Sequence, residues 1–357
     1  MRHLWGLTML LLACGGGEPA APEGSLAPPA STADESTTEV TSTSPEPGSD
    51  GGGGAAATAA PCARHAFTHD GVRRGYLLCV PDPPPRGPRP VVLGFHGGGG
   101  RAAQWQRILP WDETAAEHGF VMVFMQGCRP GERDCSGVDG SYLWSVDKPG
   151  EPDTVDDQGY TLAVIDRLRS VHGLAIDEAK IFGTGHSLGG IFLYSMRCDH
   201  PDVFAAVGPI AAPPSDGTCS PRGDTSIFHV HGVDDANVPF DSGCCSAAQR
   251  APGNAAYLAA CDALPRCFNP SNWWPPVRDG AHPFADVVGL HEVATVALGC
   301  SDRQTPVGAR PACTSYENCD EGTTVETCLL DGVAHGLAHL DAALDLRAYF
   351  WARFASF

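Results

Sequence analysis

Along this chain, short runs of unbroken apolar residues alternate with stretches whose apolar positions recur every three or four residues. Val91-Val92-Leu93-Gly94-Phe95 is apolar throughout, and Phe120 to Met125 repeats the pattern. Runs of that length, rich in β-branched and aromatic types, read as strands buried on both faces of a parallel sheet. Tyr76 to Val80, Lys180 to Gly183, Phe204 to Ile210, Ser226 to His231 and Thr324 to Leu330 read as further strands. Between them, 157–171 carries Leu162, Ile165, Leu168 and Val171 at helical spacing, and 188–199 and 337–354 also fit helices. Asp156-Asp157 stands where an N-cap is wanted. Strand–helix alternation over 61–357 predicts an α/β fold with a mostly parallel, doubly wound sheet. Residues 241–300 interrupt it. They hold Cys244, Cys245, Cys261, Cys267 and Trp273-Trp274-Pro275-Pro276, and read as an insertion stapled by disulfides.

The first sixty residues follow a different pattern. Arg2 and His3 precede an apolar run from Leu4 to Leu12, too short to span a bilayer and suited to an export signal. It ends in Leu11-Leu12-Ala13-Cys14, which resembles the lipobox of bacterial lipoproteins. That resemblance implies lipidation of Cys14 and firm anchoring, because several acyl chains on one residue hold where one is marginal. Gly15, where an aspartate would retain the protein at the inner membrane, points to the outer membrane. Residues 15–60 are almost all Gly, Pro, Ser, Thr, Ala and Glu, with no Lys, Arg or aromatic residue, too poor in apolar surface to offset chain entropy. They read as a tether that holds the folded domain, 61–357, off the membrane.

Charge and cysteine content narrow the function. Against 23 basic residues stand 42 acidic ones, a net charge of −19, which opposes a nucleic-acid partner and leaves the lipid anchor as the membrane contact. Of the 15 cysteines, Cys14 is set aside, and the even remainder allows up to seven disulfides in an oxidising compartment. Cys62 and Cys79 flank a hairpin signal at Asp70-Gly71, Cys128 and Cys135 bracket a short polar loop, and Cys300 with Cys319 is a third expected pair.

The chemistry centres on Gly185-His186-Ser187-Leu188-Gly189, a G-x-S-x-G run between a strand and a helix. Such a turn exposes a serine hydroxyl as a nucleophile, and on this type of sheet the acid and then the base follow in chain order. A serine needs a base, and the base needs a carboxylate to orient it. His335 follows the strand ending near Leu330 and is the expected base, with His339 as rival. Asp235 follows the strand ending at His231 and is the expected acid, with Asp234 beside it. Gly98, in His96-Gly97-Gly98-Gly99-Gly100 after the strand 91–95, and Leu188 are the expected oxyanion donors through their backbone N–H groups. His229 and His231 fall on one face of a strand without further partners in sequence, so satisfied core histidines outweigh a metal pair. Trp144, Trp273 and Trp274 are either core or cleft.

With these residues in hand, 62–354 resembles the secreted α/β-hydrolases that include polyhydroxybutyrate depolymerases, feruloyl esterases and acetylxylan esterases. The likeness rests on His96-Gly97-Gly98-Gly99, on Asp156-Asp157-Gln158-Gly159-Tyr160, on the elbow and Pro201-Asp202-Val203-Phe204, on His231-Gly232-Val233-Asp234-Asp235, on Gly299-Cys300, and on Asp331-Gly332-Val333-Ala334-His335. It implies an α/β-hydrolase fold and selects Asp235 over Asp234, because the family's carboxylate lies four residues after that histidine. It further implies an exported monomeric serine esterase without metal or cofactor. Its substrates would be polysaccharide-linked esters or hydroxyalkanoate oligomers. Gly336-Leu337-Ala338 stands where the family carries Trp-Pro-Gly, and the insertion is longer than the family's. The competing classes are a binding protein on the same fold and a peptidase.

Overall fold

The structure is a computed structural model that describes residues 62–82, 87–138, 140, 142–145, 155–214, 225–235, 237–238, 240, 290, 293–307, 313–320 and 322–357. The signal, Cys14, the tether, residues 241–289 of the expected insertion, Trp273 and Trp274 lie outside the described residues. Among the described residues eleven strands form one sheet: β1 (Ala63–His69), β2 (Val72–Cys79), β3 (Arg89–Phe95), β4 (Val121–Met125), β5 (Asp134–Cys135), β6 (Ile176–His186), β7 (Ala206–Ile210), β8 (Ser226–Gly232), β9 (Gln304–Pro306), β10 (Cys313–Tyr316) and β11 (Val325–Leu330). Their order is β1-β2-β4-β3-β6-β7-β8-β11-β10-β9, with β5 beside β2. From β4 to β11 every neighbour pair is parallel, and antiparallel strands close both margins.

The unbroken apolar runs are explained by what covers them. Val91, Leu93 and Phe95 of β3 face one cluster, shared with Val164 and Leu168 of α3 (Asp157–Ser170) and Phe192 of α4 (Leu188–Asp199). Val92 faces the other, with Trp105 of α1 (Ala102–Ile108), Ala115 of α2 (Trp111–His118), Leu340 of α5 (Leu337–Leu344) and Phe350 of α6 (Leu346–Phe354). Helices thus cover both faces of the central strands, the arrangement in which parallel strands lose their period-two signal. Strand order reverses direction at β3, which has β4 on one side and β6 on the other. Open α/β sheets bind ligands in the crevice at the carboxyl ends of the strands at such a switch point. This is the α/β-hydrolase architecture that the sequence led us to expect.

Some boundaries differ from expectation. Val171 is the C-cap of α3 and is 55% exposed, so it leaves the buried face, which runs through Tyr160, Val164, Ile165 and Leu168. The expected single helix 337–354 is two helices. Asp345 takes a left-handed conformation (φ 49°) that ends α5, while its carboxylate caps α6 by accepting from Ala348 N. All three expected disulfides are present, Cys62–Cys79, Cys128–Cys135 and Cys300–Cys319. A fourth, Cys313–Cys328, links directly paired residues of β10 and β11. Among the described residues no helix is long and apolar enough to cross a membrane.

Candidate active site

The residues singled out from sequence gather at the carboxyl ends of β3, β6, β8 and β11. Ser187 joins β6 to α4 with φ 53° and ψ −123°, a conformation that costs an L-residue free energy and persists only where the surroundings enforce it. Its own N–H donates to Ile210 O at 2.8 Å, and its carbonyl accepts from Gly190 N and Ile191 N, the first turn of α4. A Cβ at Gly189 would lie 2.3 Å from Phe95 O, so only glycine lets the elbow pack against the end of β3.

His335 and Asp235 arrive on two loops that are tied to each other. Asp234 N donates to Val333 O at 3.0 Å and Val233 N to Leu330 O at 3.0 Å. A Cβ at Gly232 would sit 2.1 Å from Val333 O, so this residue sets how closely the loops approach. His335 Nδ1–H donates to Asp235 Oδ2 at 2.7 Å. Asp235 is fully buried, and its Oδ1 accepts from Asn237 N at 2.9 Å and Val238 N at 2.7 Å. Burial alone would raise the Asp235 carboxyl, but the hydrogen bonds from His231 and His335 overcome it and hold the group well below the usual carboxylate range. The rivals are placed elsewhere: Asp234 is exposed, and His339 is exposed one helical turn onward on α5.

One contact was not anticipated from sequence. His186 Nε2–H donates to His335 O at 2.7 Å, and the two rings lie 4.7 Å apart. The residue before the nucleophile thereby fastens the loop of the base to the elbow. Burial, with the neighbouring His335 adding to it, lowers the His186 imidazole to about 3, so it is a neutral donor.

The glycine-rich loop is fixed by its first residue. Buried His96 donates Nδ1–H to Gly97 O at 2.8 Å, and its Nε2 accepts from Gly127 N at 3.1 Å, which defines one neutral tautomer. Burial lowers His96 to about 4, consistent with that pattern. Gly99 N donates to Tyr142 O and Gly100 N to Gly97 O, which leaves the amides of Gly97 and Gly98 as the loop's candidates for an incoming oxyanion. The loop lies on the elbow: a Cβ at Gly97 would be 3.5 Å from Ser187 Cβ, and one at Gly98 3.5 Å from Leu188 Cδ2. Trp144, one of the cleft-or-core tryptophans, is core. It stacks on Phe192 and donates Nε1–H to His96 O at 2.8 Å. Its neighbour Leu143, 36% exposed, forms the apolar lip beside Gly98.

Asp156 caps α3 by accepting from Gly159 N at 2.8 Å, whereas Asp157, read from sequence as part of the same cap, is fully buried and paired with buried Arg74. Its second oxygen accepts from Ser145 N at 2.7 Å, so the pair anchors the 142–145 segment behind the loop. Burial raises the Asp157 carboxyl to about 6 against the pull of Arg74. Removing one partner of such a pair strands the other charge, so Asp157→Ala is expected to cost about 3–5 kcal/mol. Urea unfolding of the oxidised protein measures this, and a loss below about 1 kcal/mol would show that Arg74 finds another partner.

No family model matches the chain. It is 28% identical over 238 residues to NocK of Nocardia uniformis subsp. tsuyamanensis, a protein designated an esterase, covering 64% of this chain and 62% of NocK. It is 24% identical over 192 residues to feruloyl esterase C of Emericella nidulans, covering 51% of this chain and 64% of that protein. The matched regions thus span less than two thirds of either relative. Among solved structures, the acetyl xylan esterase from Aspergillus awamori superposes with a TM-score of 0.49 at 14% identity, covering 80% of this chain and 99% of that one.

Proposed function

We propose that this protein is an extracytoplasmic serine carboxylic-ester hydrolase that works through an acyl-enzyme. The observation that carries the reading is the 2.7 Å hydrogen bond between His335 Nδ1 and buried Asp235 Oδ2, formed at the carboxyl ends of β8 and β11 in the same parallel sheet whose β6 ends in the strained Ser187 elbow. Because Nδ1 holds its proton on the carboxylate, Nε2 is the free base. His335 Nε2 takes the proton from Ser187 Oγ as the hydroxyl attacks the ester carbonyl. The amides of Leu188 and Gly98 hold the tetrahedral oxyanion. His335 returns the proton to the leaving alcohol and then activates water to release the acid. These steps need no metal or cofactor.

The substrates that fit best are feruloyl or acetyl esters on plant polysaccharide, the chemistry in the names of the relatives. The hydroxyalkanoate reading rests on the sequence resemblance. The four disulfides between described residues suit an oxidising compartment, and Cys14 would be the lipid anchor of the envelope-facing protein, with ester substrates as its partners. The test is hydrolysis of p-nitrophenyl acetate, methyl ferulate, acetylated xylan, a hydroxybutyrate oligomer and the amide matching the ferulate ester, together with labelling by a fluorophosphonate. Ester turnover and labelling that both vanish in Ser187→Ala are expected. Faster amide than ester cleavage would make the protein a peptidase, and a folded protein inert to every substrate and to the probe would leave it a binding protein.

A further inference from the structure

The acid of the proposed site does not end the hydrogen-bond chain. Behind Asp235 lie three buried side chains in series. Tyr194, on α4, is 2.8 Å from His229 Nδ1, His229 Nε2 is 3.0 Å from His231 Nδ1, and His231 Nε2 is 2.7 Å from Val238 O and 3.4 Å from Asp235 Oδ2. The two imidazoles stack 5.2 Å apart because alternate residues of β8 face the same way.

The direction of every proton follows from the last link. A carbonyl oxygen only accepts, so His231 carries its proton on Nε2 and points it at Val238 O and the carboxylate. Burial keeps His229 neutral, with the nearby His231 adding to the effect. With its one proton placed on Nε2 by Val238 O, His231 offers a bare Nδ1, so His229 donates from Nε2. His229 Nδ1 is left to accept, and the Tyr194 hydroxyl donates to it. All four ring nitrogens are spent, which disposes of the metal-pair reading. All three protons point toward Asp235, so each bond polarises the next.

We infer that Tyr194, His229 and His231 form a buried relay that positions the Asp235 carboxylate for His335. The inference rests on the proposed triad. His231 and His335 both present N–H groups to Oδ2 while Asn237 and Val238 hold Oδ1. The carboxylate is therefore fixed in rotation and kept ionised while His335 becomes an imidazolium. These residues act through Asp235 and touch no substrate, so they are positioning residues.

The test uses the oxidised full chain. In 15N-histidine spectra, His229 and His231 should both carry their proton on Nε2, with an unprotonated Nδ1. His231→Leu should lower kcat about 10- to 100-fold with KM unchanged, the worth of one hydrogen bond to a charged group. His231→Gln, whose amide keeps a donor near the Nε2 position, should restore most of it. Tyr194→Phe should lower kcat a few-fold and loosen the His229 signal. An Nδ1 proton on either histidine, or a folded His231→Leu with wild-type kcat, overturns the relay. Should His231→Leu not fold, the wild-type tautomers and Tyr194→Phe decide. Failure of the esterase reading is told apart by Ser187→Ala: if turnover survives that change the triad is wrong, and the tautomers still report whether the chain of protons exists.

Discussion

Exchanging Asp235 for asparagine is expected to lower ester turnover about 10,000-fold, although only one atom changes. The reason lies in the amides of Asn237 and Val238, which both point at Oδ1. They require an acceptor there, so the asparagine turns its carbonyl toward them and its NH2 toward His335. A ring that met a carboxylate through Nδ1–H now meets a donor. It responds by moving its proton to Nε2, the nitrogen that should take the proton of Ser187. Ser187→Ala should lower turnover further, by about a million-fold, and adding His335→Ala should make it no worse, because nucleophile and base act as one unit. Pre-steady-state and steady-state rates on methyl ferulate would measure both effects. Multiplying rather than saturating losses in the Ser187→Ala/His335→Ala pair would mean that the two residues act in separate steps.

What sequence conveyed about this site was whatever depends on local geometry or on position relative to a strand end. Ser187 announces itself because an elbow needs glycines on both sides, and Gly189 does lie hard against Phe95 O. Asp235 and His335 were legible because each follows a buried strand in the required chain order. The contacts that hold them were not, because they join residues far apart in sequence. His186 reaches a carbonyl 149 positions away, and Arg74 pairs with an aspartate 83 positions away. Asp157 shows the limit best. Next to Asp156 at a helix start it looks like a second cap, and only the sheet in front of it reveals a buried ion partner. In the same way, the αL break at Asp345 leaves no gap in the apolar periodicity of 337–354, since the chain turns without losing its buried face.

Acidification should destabilise this protein above the ordinary carboxylate range, by an amount on the order of 4 kcal/mol between pH 6.5 and 5. Three buried histidines are responsible: His96 at about 4, His186 at about 3, and His229 far below its ordinary value. In the unfolded chain each takes a proton as pH falls through 6.5, whereas in the folded protein each stays neutral. Unfolding therefore absorbs a proton per histidine across that window, worth about 1.4 kcal/mol per pH unit each. Asp157 works the other way. Its folded value of about 6 lies above the unfolded 3.8, so falling pH through this interval favours the folded state by roughly one kcal/mol. Asp235, whose folded value is depressed, contributes stability at every pH above 3.8 and loses it only below, outside the window. Urea midpoints of the oxidised protein at pH 7, 6 and 5 measure the balance. A midpoint that stays level from 6.5 to 5 would mean that these histidines accept protons in the folded state. The tautomer of His96 that fixes the glycine-rich loop, and the neutral donor of His186 that fastens the base, would then both have to be abandoned, because protonation removes the lone pair that Gly127 N–H requires and places a second proton on the ring that meets the His335 loop.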